Sequence, residues 1–247
     1  MKTLAKRGSI YPSDEENPYW ISFSDIMSGL LVVFILASLA LILELMQTRE
    51  NVNAALDEMI EAENVRYLIV TELQQELSNK NIKVELVDND TVIRIPDDQL
   101  TFGSDRYRIS ERDETTQERV RIIGDILYEK IREHSGENYL DTIFIEGHTD
   151  SQRSRRFKEM GNWGLSTFRA ISVWKFWNNQ DTEQNKFEEL VNHDGRKLFS
   201  VSGYAALRRI EKIETTKFDF QKNRRIDIRF TVKRPKIEDL RSVQKKF

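Results

Sequence analysis

The sequence contains no cysteine, few histidines and no excess of basic residues. The absence of cysteine excludes a disulfide framework, a thiolate metal site and a cysteine nucleophile. The three histidines, His134, His148 and His193, are too far apart in sequence to suggest a histidine-rich metal site. With 38 basic and 41 acidic side chains the net charge is -3, whereas a general nucleic-acid-binding protein is strongly basic. We therefore expect no metal, no other cofactor and no nucleic-acid partner.

Residues 26–43 form an 18-residue run without a charged side chain in an otherwise polar chain of 247 residues. As a helix, residues 19–43 would extend about 37 Å, enough to cross a hydrocarbon core of about 30 Å. A signal peptide is the main alternative, but its apolar core is normally about 7–15 residues long and precedes a cleavage site. This run is longer and continues into a charged segment. It therefore predicts an uncleaved transmembrane helix over residues 19–45.

Basic residues near the start of the chain indicate the orientation of this span. Lys2, Lys6 and Arg7 favour a cytoplasmic tail over residues 1–18, because short cytoplasmic segments carry an excess of lysine and arginine. The residues that follow the span would then lie outside the cytoplasm.

Residues 46–80 are predicted to form a helical linker, since residues 48–80 contain neither glycine nor proline. Apolar residues recur in alternating steps of four and three, interrupted by Glu63 and Arg66. This spacing fits either a short parallel coiled coil between two copies or one amphipathic helix packed on its own domain. The apolar positions are Val52, Leu56, Met59, Val70, Leu73 and Leu77.

The rest of the chain alternates between strand-like and helix-like patterns. Residues 82–87 and 91–95 predict a β-hairpin, and residues 142–146, 199–202 and 225–232 predict further strands. Residues 115–134 and 165–177 have helical periodicity. Residues 81–233 therefore predict an α/β sandwich, with helices on one face of a small mixed sheet. Residues 234–247 form a polar, basic tail that we expect to be solvated.

Four motifs in this region occur in a diagnostic order. Residues 144–150 read FIEGHTD and residues 162–170 read NWGLSTFRA; the sequences SGY at 202–204 and NRRIDI at 223–228 follow. They resemble the OmpA-like peptidoglycan-binding domain, in which a strand ending in GHTD precedes a helix with N-x-x-L-S-x-x-R-A. The resemblance extends from about Ile82 to Val232.

Asp150 and Arg169 are the principal candidate binding residues. A carboxylate and a guanidinium that converge on one pocket suit a zwitterionic amino-acid group. The resemblance implies that they hold the diaminopimelate of the peptide stem, and that Asn162 and Arg224 shape the pocket. The alternative is an internal Asp150–Arg169 salt bridge that stabilises the domain.

The segment between Asp150 and Asn162 is about four residues longer than in compact members of the family. Residues 151–161 are rich in arginine and lysine, and Arg153, Arg155 or Arg156 could cover the pocket or compete for it. The order His148-Thr149-Asp150-Ser151 does not predict a hydrolase, because neighbouring residues on a strand point to opposite faces. We expect no enzyme activity.

Asp25 lies just inside the leading edge of the apolar run. An acid there either caps the helix at the headgroups or has a function that requires a carboxylate in the membrane. A single helix with an early aspartate, a helical linker and an OmpA-like domain resembles MotB-like subunits, the peptidoglycan-anchored part of ion-driven stators. Trp20 and residues 24–29 carry this resemblance. It implies that Asp25 carries a proton or sodium ion, in a homodimer within a ring of MotA-like subunits in the bacterial inner membrane, with a periplasmic C-terminal domain.

Two branches of these stators remain open. The sequence PYWISFSD at residues 18–25 resembles the MotB-like subunits (ZorB) of the Zorya anti-phage defence system, whose partner ring is of the ZorA type. The alternative is a flagellar MotB subunit. A passive OmpA-like cell-wall tether, in which Asp25 has no role, belongs to a different functional class.

Overall fold

The structure is a computed structural model that describes residues 18–179 and 187–235. The predicted N-terminal tail, apart from residue 18, and residues 236–247 of the predicted C-terminal tail lie outside the described residues. The chain divides into two compact units between Asn53 and Ala54.

Helix α1, Pro18–Asn79, is one continuous helix of 62 residues. Its first part is long and apolar enough to cross a membrane, and the side chains there are exposed. Asp25 is one of these exposed residues. The predicted apolar N-terminal helix and helical linker are therefore confirmed, although no break separates them.

From Ala54 onward, helix α1 belongs to the second unit. Val70, Leu73 and Leu77 are fully buried in the core of this unit. These three positions therefore pack on their own domain, as one of the two alternatives for the linker predicts. Val52, Leu56 and Met59 remain exposed.

A cluster of ion pairs connects this part of helix α1 with helix α2, Glu114–Glu133. The ammonium of Lys130 is buried and lies 2.7 Å from Glu76, 2.7 Å from Glu133 and 3.6 Å from Glu72. Hydrogen bonds that Lys130 donates to Glu133 and Glu76 raise the pKa of Lys130 well above its ordinary value. His134 adds a contact of 2.8 Å to Glu72.

A five-stranded mixed sheet forms the centre of the second unit, with strand order β1-β2-β5-β3-β4. Only β3 and β4 pair in parallel; the other neighbours are antiparallel. The strands are β1 Glu85–Val87, β2 Val92–Pro96, β3 Leu140–His148, β4 Phe199–Gly203 and β5 Arg225–Val232. The other helices are α3 Gly136–Tyr139, α4 Gly161–Asn178 and α5 Lys217–Asn223, with a 3-10 turn at Phe187–Glu189.

Alternation along the strands separates an apolar face from a polar face. Ile143, Ile145 and Ile228 lie in the core with Val173 and Trp177 of α4. The predicted α/β sandwich, with helices on one face of a mixed sheet, is therefore confirmed. The opposite face carries charged residues that pair across strands: Arg94 lies opposite Asp227, and Asp227 lies opposite Glu146.

The first strand is shorter than predicted, because its expected first residues end helix α1 instead. Asn81 adopts a left-handed conformation with φ of 59°. Ile82 then donates its N–H to the carbonyl of Leu77 at 2.9 Å, and its side chain enters the core. Only Glu85–Val87 remain to pair with β2.

Candidate functional site

A cleft of about 1190 Å³ opens beyond the C-terminal end of strand β3. Its walls are the segment 102–105, the loop after Thr149, one side of helix α4, and Lys217 and Arg224 near helix α5. Asp150, Arg169 and Arg224, which the sequence selected, all line it.

Two motif glycines allow helix α4 to lie close to the sheet and so bring these groups together. A Cβ on Gly147 would lie 2.0 Å from the carbonyl oxygen of Ser166. A Cβ on Gly203 would lie 2.2 Å from the hydroxyl of Thr167. Only glycine fits at such distances, and the close packing places Arg169 beside the end of β3.

Asp150 forms its ion pair with Arg224. The Nη1 group of Arg224 donates to Asp150 Oδ2 at 2.9 Å, while Nε and Nη2 donate to Asp97 Oδ2 at 3.1 and 2.9 Å. Burial raises the pKa of Asp97, although Arg224 and Arg169 act in the opposite direction. The sequence does not predict that Asp97 belongs to the site, because there it is one of two aspartates that follow a predicted strand.

Arg169 is buried but not saturated with hydrogen bonds. Its Nε donates to the carbonyl of Arg106 at 3.0 Å, and its guanidinium lies 5.1 Å from the ring centre of Phe102. Among the described residues, neither Nη group has a hydrogen-bond partner, and no ion pair joins Arg169 to Asp150. The structure therefore has an ion pair between Arg224 and Asp150 where the sequence alternative was a salt bridge between Asp150 and Arg169. Burial lowers the pKa of Arg169 to about 10, which still leaves it charged at neutral pH.

Asn162 positions the loop and does not line the cleft. Its Oδ1 accepts the backbone N–H of Ser154 at 2.8 Å, and its Nδ2 donates to the carbonyl of Asp150 at 3.1 Å. The side chain thereby fixes both Asp150 and the start of the inserted segment.

The inserted segment 151–161 forms part of the cleft wall and is held there by Asp105. This carboxylate accepts the hydroxyl of Ser154 at 2.5 Å and the backbone N–H groups of Arg155 and Arg156 at 3.1 and 2.9 Å. Phe157 stacks on Phe168 with ring centres 5.2 Å apart. The sequence indicated the insertion but not Asp105, whose partners lie about 50 residues away in the chain.

The three arginines of the insertion have different positions. Arg153 and Arg155 line the cleft, together with Lys158. The guanidinium of Arg156 instead lies 5.8 Å from the ring centre of Tyr107. Within the described part of the chain, none of the three arginines is paired with Asp150.

Thr149 contributes a buried hydroxyl to the cleft. The residue is 2% exposed, lines the cleft, and its Oγ1 has no hydrogen-bond partner among the described residues. A buried hydroxyl without a partner is unfavourable, so this atom indicates where a ligand can donate or accept a hydrogen bond. The GHTD motif contained this threonine, but its burial could not be inferred.

His148 points away from the cleft, to the polar face of the sheet. It is stacked on Tyr204 with ring centres 5.3 Å apart and lies 3.4 Å from Asp227. Burial, reinforced by nearby arginines, lowers its pKa to about 2, so the imidazole is neutral. His148 and Asp150 therefore do not form a catalytic pair.

Two clusters of described residues have the spacing of metal ligands: Glu72, Glu133 and His134, and Glu146, His148 and Asp227. In each cluster the carboxylates already bind cationic side chains. Lys130 contacts Glu72 and Glu133, Arg229 contacts Glu146, and Arg225 contacts Asp227. We interpret both clusters as ion-pair networks.

The cleft can thus accept both ends of a zwitterion. The two Nη groups of Arg169 form a fork for a carboxylate, and Asp150 can accept an ammonium group. The charges of Asp97, Asp150, Arg169 and the partly buried Arg224 balance one another before any ligand enters.

Comparison with known proteins agrees with this architecture. No curated protein matched the sequence. Similar solved structures include a MotB-like protein from Desulfovibrio vulgaris, with a TM-score of 0.50 and 16% identity over 71% of this chain and 99% of that one. They also include the periplasmic domain of Helicobacter pylori MotB, with a TM-score of 0.48 and 18% identity over 66% and 89% of the two chains. The cell wall anchor of the type VI secretion system from Pseudomonas aeruginosa has a TM-score of 0.45 and 17% identity over 66% and 97%.

At these identities the Desulfovibrio structure shows a shared fold only. The family assignment rests instead on the OmpA family, whose sequence profile matches residues 101–224, half of the chain. This range contains Asp105, Asp150, Asn162, Arg169 and Arg224. The chain therefore belongs to the OmpA family.

Proposed function

We propose that the cleft binds the peptide stem of peptidoglycan and anchors the protein to the cell wall. Arg169 takes the carboxylate and Asp150 the ammonium of a diaminopimelate residue, Arg224 orients Asp150, and Asn162 positions the loop. The observation that carries this proposal is the buried guanidinium of Arg169, which lines the same cleft as Asp150 and uses only its Nε for a hydrogen bond within the described residues. Membership of the OmpA family supports the same ligand.

A sacculus pull-down tests the binding site. Arg169→Ala removes the carboxylate receptor, and Arg169→Lys keeps a charge but removes the planar fork. Both should weaken binding, since losing one partner of a buried charged hydrogen bond costs about 2–5 kcal/mol. Arg112→Ala is the matched control, because Arg112 is exposed and does not line the cleft. Retention of Arg169→Ala at the wild-type level would exclude this assignment.

We further propose that the whole chain is the B-type subunit of an ion-driven stator in the inner membrane. In this proposal helix α1 spans the membrane, two copies pair, and a ring of MotA-like subunits surrounds them. The supporting feature is an apolar helix with one early carboxylate, Asp25, in the same chain as a cell-wall-binding cleft. No cofactor is required; the transported ion is a proton or sodium.

The energetics suit an ion carrier at Asp25. On insertion scales an ionised aspartate costs about 2.5–3.5 kcal/mol at the centre of a membrane helix and less toward its ends, where Asp25 lies, and 100 mV supplies about 2.3 kcal/mol per charge. The membrane potential can therefore bias the occupancy of such a site. Ser28 and Gly29 lie one turn further along the same face, and a Cβ on Gly29 would meet nothing within 4 Å.

We favour a stator of Zorya-type anti-phage defence over a flagellar stator, because the sequence at residues 18–25 resembles the Zorya subunits. Asp25→Asn tests the motor proposal in cells that also carry the MotA-like subunit. An ion-driven stator should lose phage protection, or swimming in the flagellar case, while the variant still binds sacculi. Full activity of Asp25→Asn would support a passive tether instead.

A further inference from the structure

The cleft carries more positive charge than one zwitterion requires. Six basic and two acidic side chains line it. Arg224 is engaged with Asp97 and Asp150, and Asp105 is engaged with the loop. Arg169 is the carboxylate receptor of the proposed function. Four further cations therefore remain in the cleft, namely Arg153, Arg155, Lys158 and Lys217.

These four cations have no ion-pair partner among residues 18–179 and 187–235. All four are exposed, so their charged groups are accessible to a ligand. Like charges gathered around one cleft repel each other and raise the local concentration of anions. An anionic group of the ligand would relieve this repulsion.

Two points of attachment show that the loop holds a defined position. Ser154 is 4% exposed, with its hydroxyl on Asp105 and its N–H on Asn162. Its two neighbours, Arg153 and Arg155, line the cleft on either side of this anchor. Phe157 fixes the following turn against Phe168. The loop that carries these basic groups therefore has a fixed conformation beside the cleft.

We infer that Arg153, Arg155 and Lys158, with Lys217, form a second anion subsite for an additional carboxylate of the peptide stem. This inference rests on the proposed function and specifies its ligand: an acidic stem that carries a free carboxylate besides the zwitterionic group of diaminopimelate. The α-carboxylate of the neighbouring γ-linked glutamyl residue is such a group. Its amidation removes the negative charge, so an amidated stem binds less tightly.

The test uses the full chain in detergent and two soluble stem peptides, which differ only in a free or an amidated glutamyl carboxylate. We expect the free stem to bind about five- to tenfold more tightly at low salt, a ratio typical of a few exposed charge contacts. Added salt should reduce this ratio, since exposed charges are screened.

The triple variant Arg153→Gln, Arg155→Gln, Lys158→Gln should bind the two stems alike. The control Lys80→Gln, Lys83→Gln, Arg112→Gln removes three exposed charges away from the cleft and should keep the preference.

A wild-type chain that binds both stems equally, or a triple variant that keeps the preference, overturns the inference. A different outcome is that the triple variant loses binding to a phosphate-containing wall polymer while its preference between the stems is unchanged. That outcome assigns the subsite to phosphate and also overturns the inference. A wild-type chain that binds neither stem rejects the proposed function itself.

Discussion

Arg224 and Asp150 are 74 residues apart in the chain and are joined by a hydrogen bond of 2.9 Å between Nη1 and Oδ2. The same guanidinium holds Asp97 through two further hydrogen bonds. One cation thus connects the ends of strands β2 and β3 with the start of β5. Asp150 is oriented by this contact together with the backbone N–H of Gln152, which donates to Oδ1 at 3.1 Å.

Replacing Arg224 with glutamine should destabilise the domain by about 3 kcal/mol, because two largely buried carboxylates lose their shared partner. Burial already raises the pKa of Asp97 from 3.8, so its ionisation lowers stability as the pH rises through the folded-state pKa. Removing Arg224 should raise that pKa further. Thermal melting from pH 4 to 7 should show a deficit that grows with pH; a constant deficit, equal to that of Arg112→Gln, would contradict the shared role.

His148→Phe should make the domain less sensitive to acid. The pKa of His148 is lowered to about 2 in the fold, so the stability linked to its neutral form is present above its ordinary pKa of 6.5. That stability is lost as the pH falls below 6.5, by at most about 1.4 kcal/mol per pH unit. Unfolding measured between pH 7 and 4 should show a shallower slope for His148→Phe than for the wild type; equal slopes would contradict the role of His148.

Lys130→Met should loosen the part of helix α1 that packs on helix α2. The variant leaves Glu72, Glu76 and Glu133 without their common cation, so local opening of the helix becomes easier. Backbone amides of residues 66–77 should exchange with deuterium about tenfold faster. Arg121→Met, an exposed position on helix α2, is the control; equal exchange in the two variants would refute the role of Lys130.

Gly147→Ala should disturb the cleft by displacing helix α4. The added methyl group would meet the carbonyl of Ser166 at 2.0 Å, and overpacking of this kind costs about 1–3 kcal/mol. Melting temperature and sacculus binding should both fall. Gly29→Ala, where nothing lies within 4 Å, should leave melting of the domain unchanged.

The sequence predicted those parts of the fold that depend on local pattern. Alternating apolar residues identified strand β5 with its observed bounds, and the GHTD and NWGLSTFRA motifs led to Asp150 and Arg169. The roles of Asp97 and Asp105 could not be predicted, because their hydrogen-bond partners lie 127 and about 50 residues away in the chain. No local pattern marks such contacts. The alternation at Ile82 suits both a strand and the buried end of a helix, and the left-handed turn at Asn81 decides for the helix end.

The buried hydroxyl of Thr149 makes the cleft selective for ligands that can hydrogen-bond to it. Its oxygen is already shielded from water and unpaired, so a ligand that offers it a hydrogen bond gains affinity, whereas a ligand of the same shape without such a group leaves it unsatisfied. An unsatisfied buried hydroxyl costs about 1–3 kcal/mol, which is sufficient to discriminate between two otherwise similar molecules by tenfold or more. Thr149 can therefore enforce fidelity in the choice of ligand without contributing any charge.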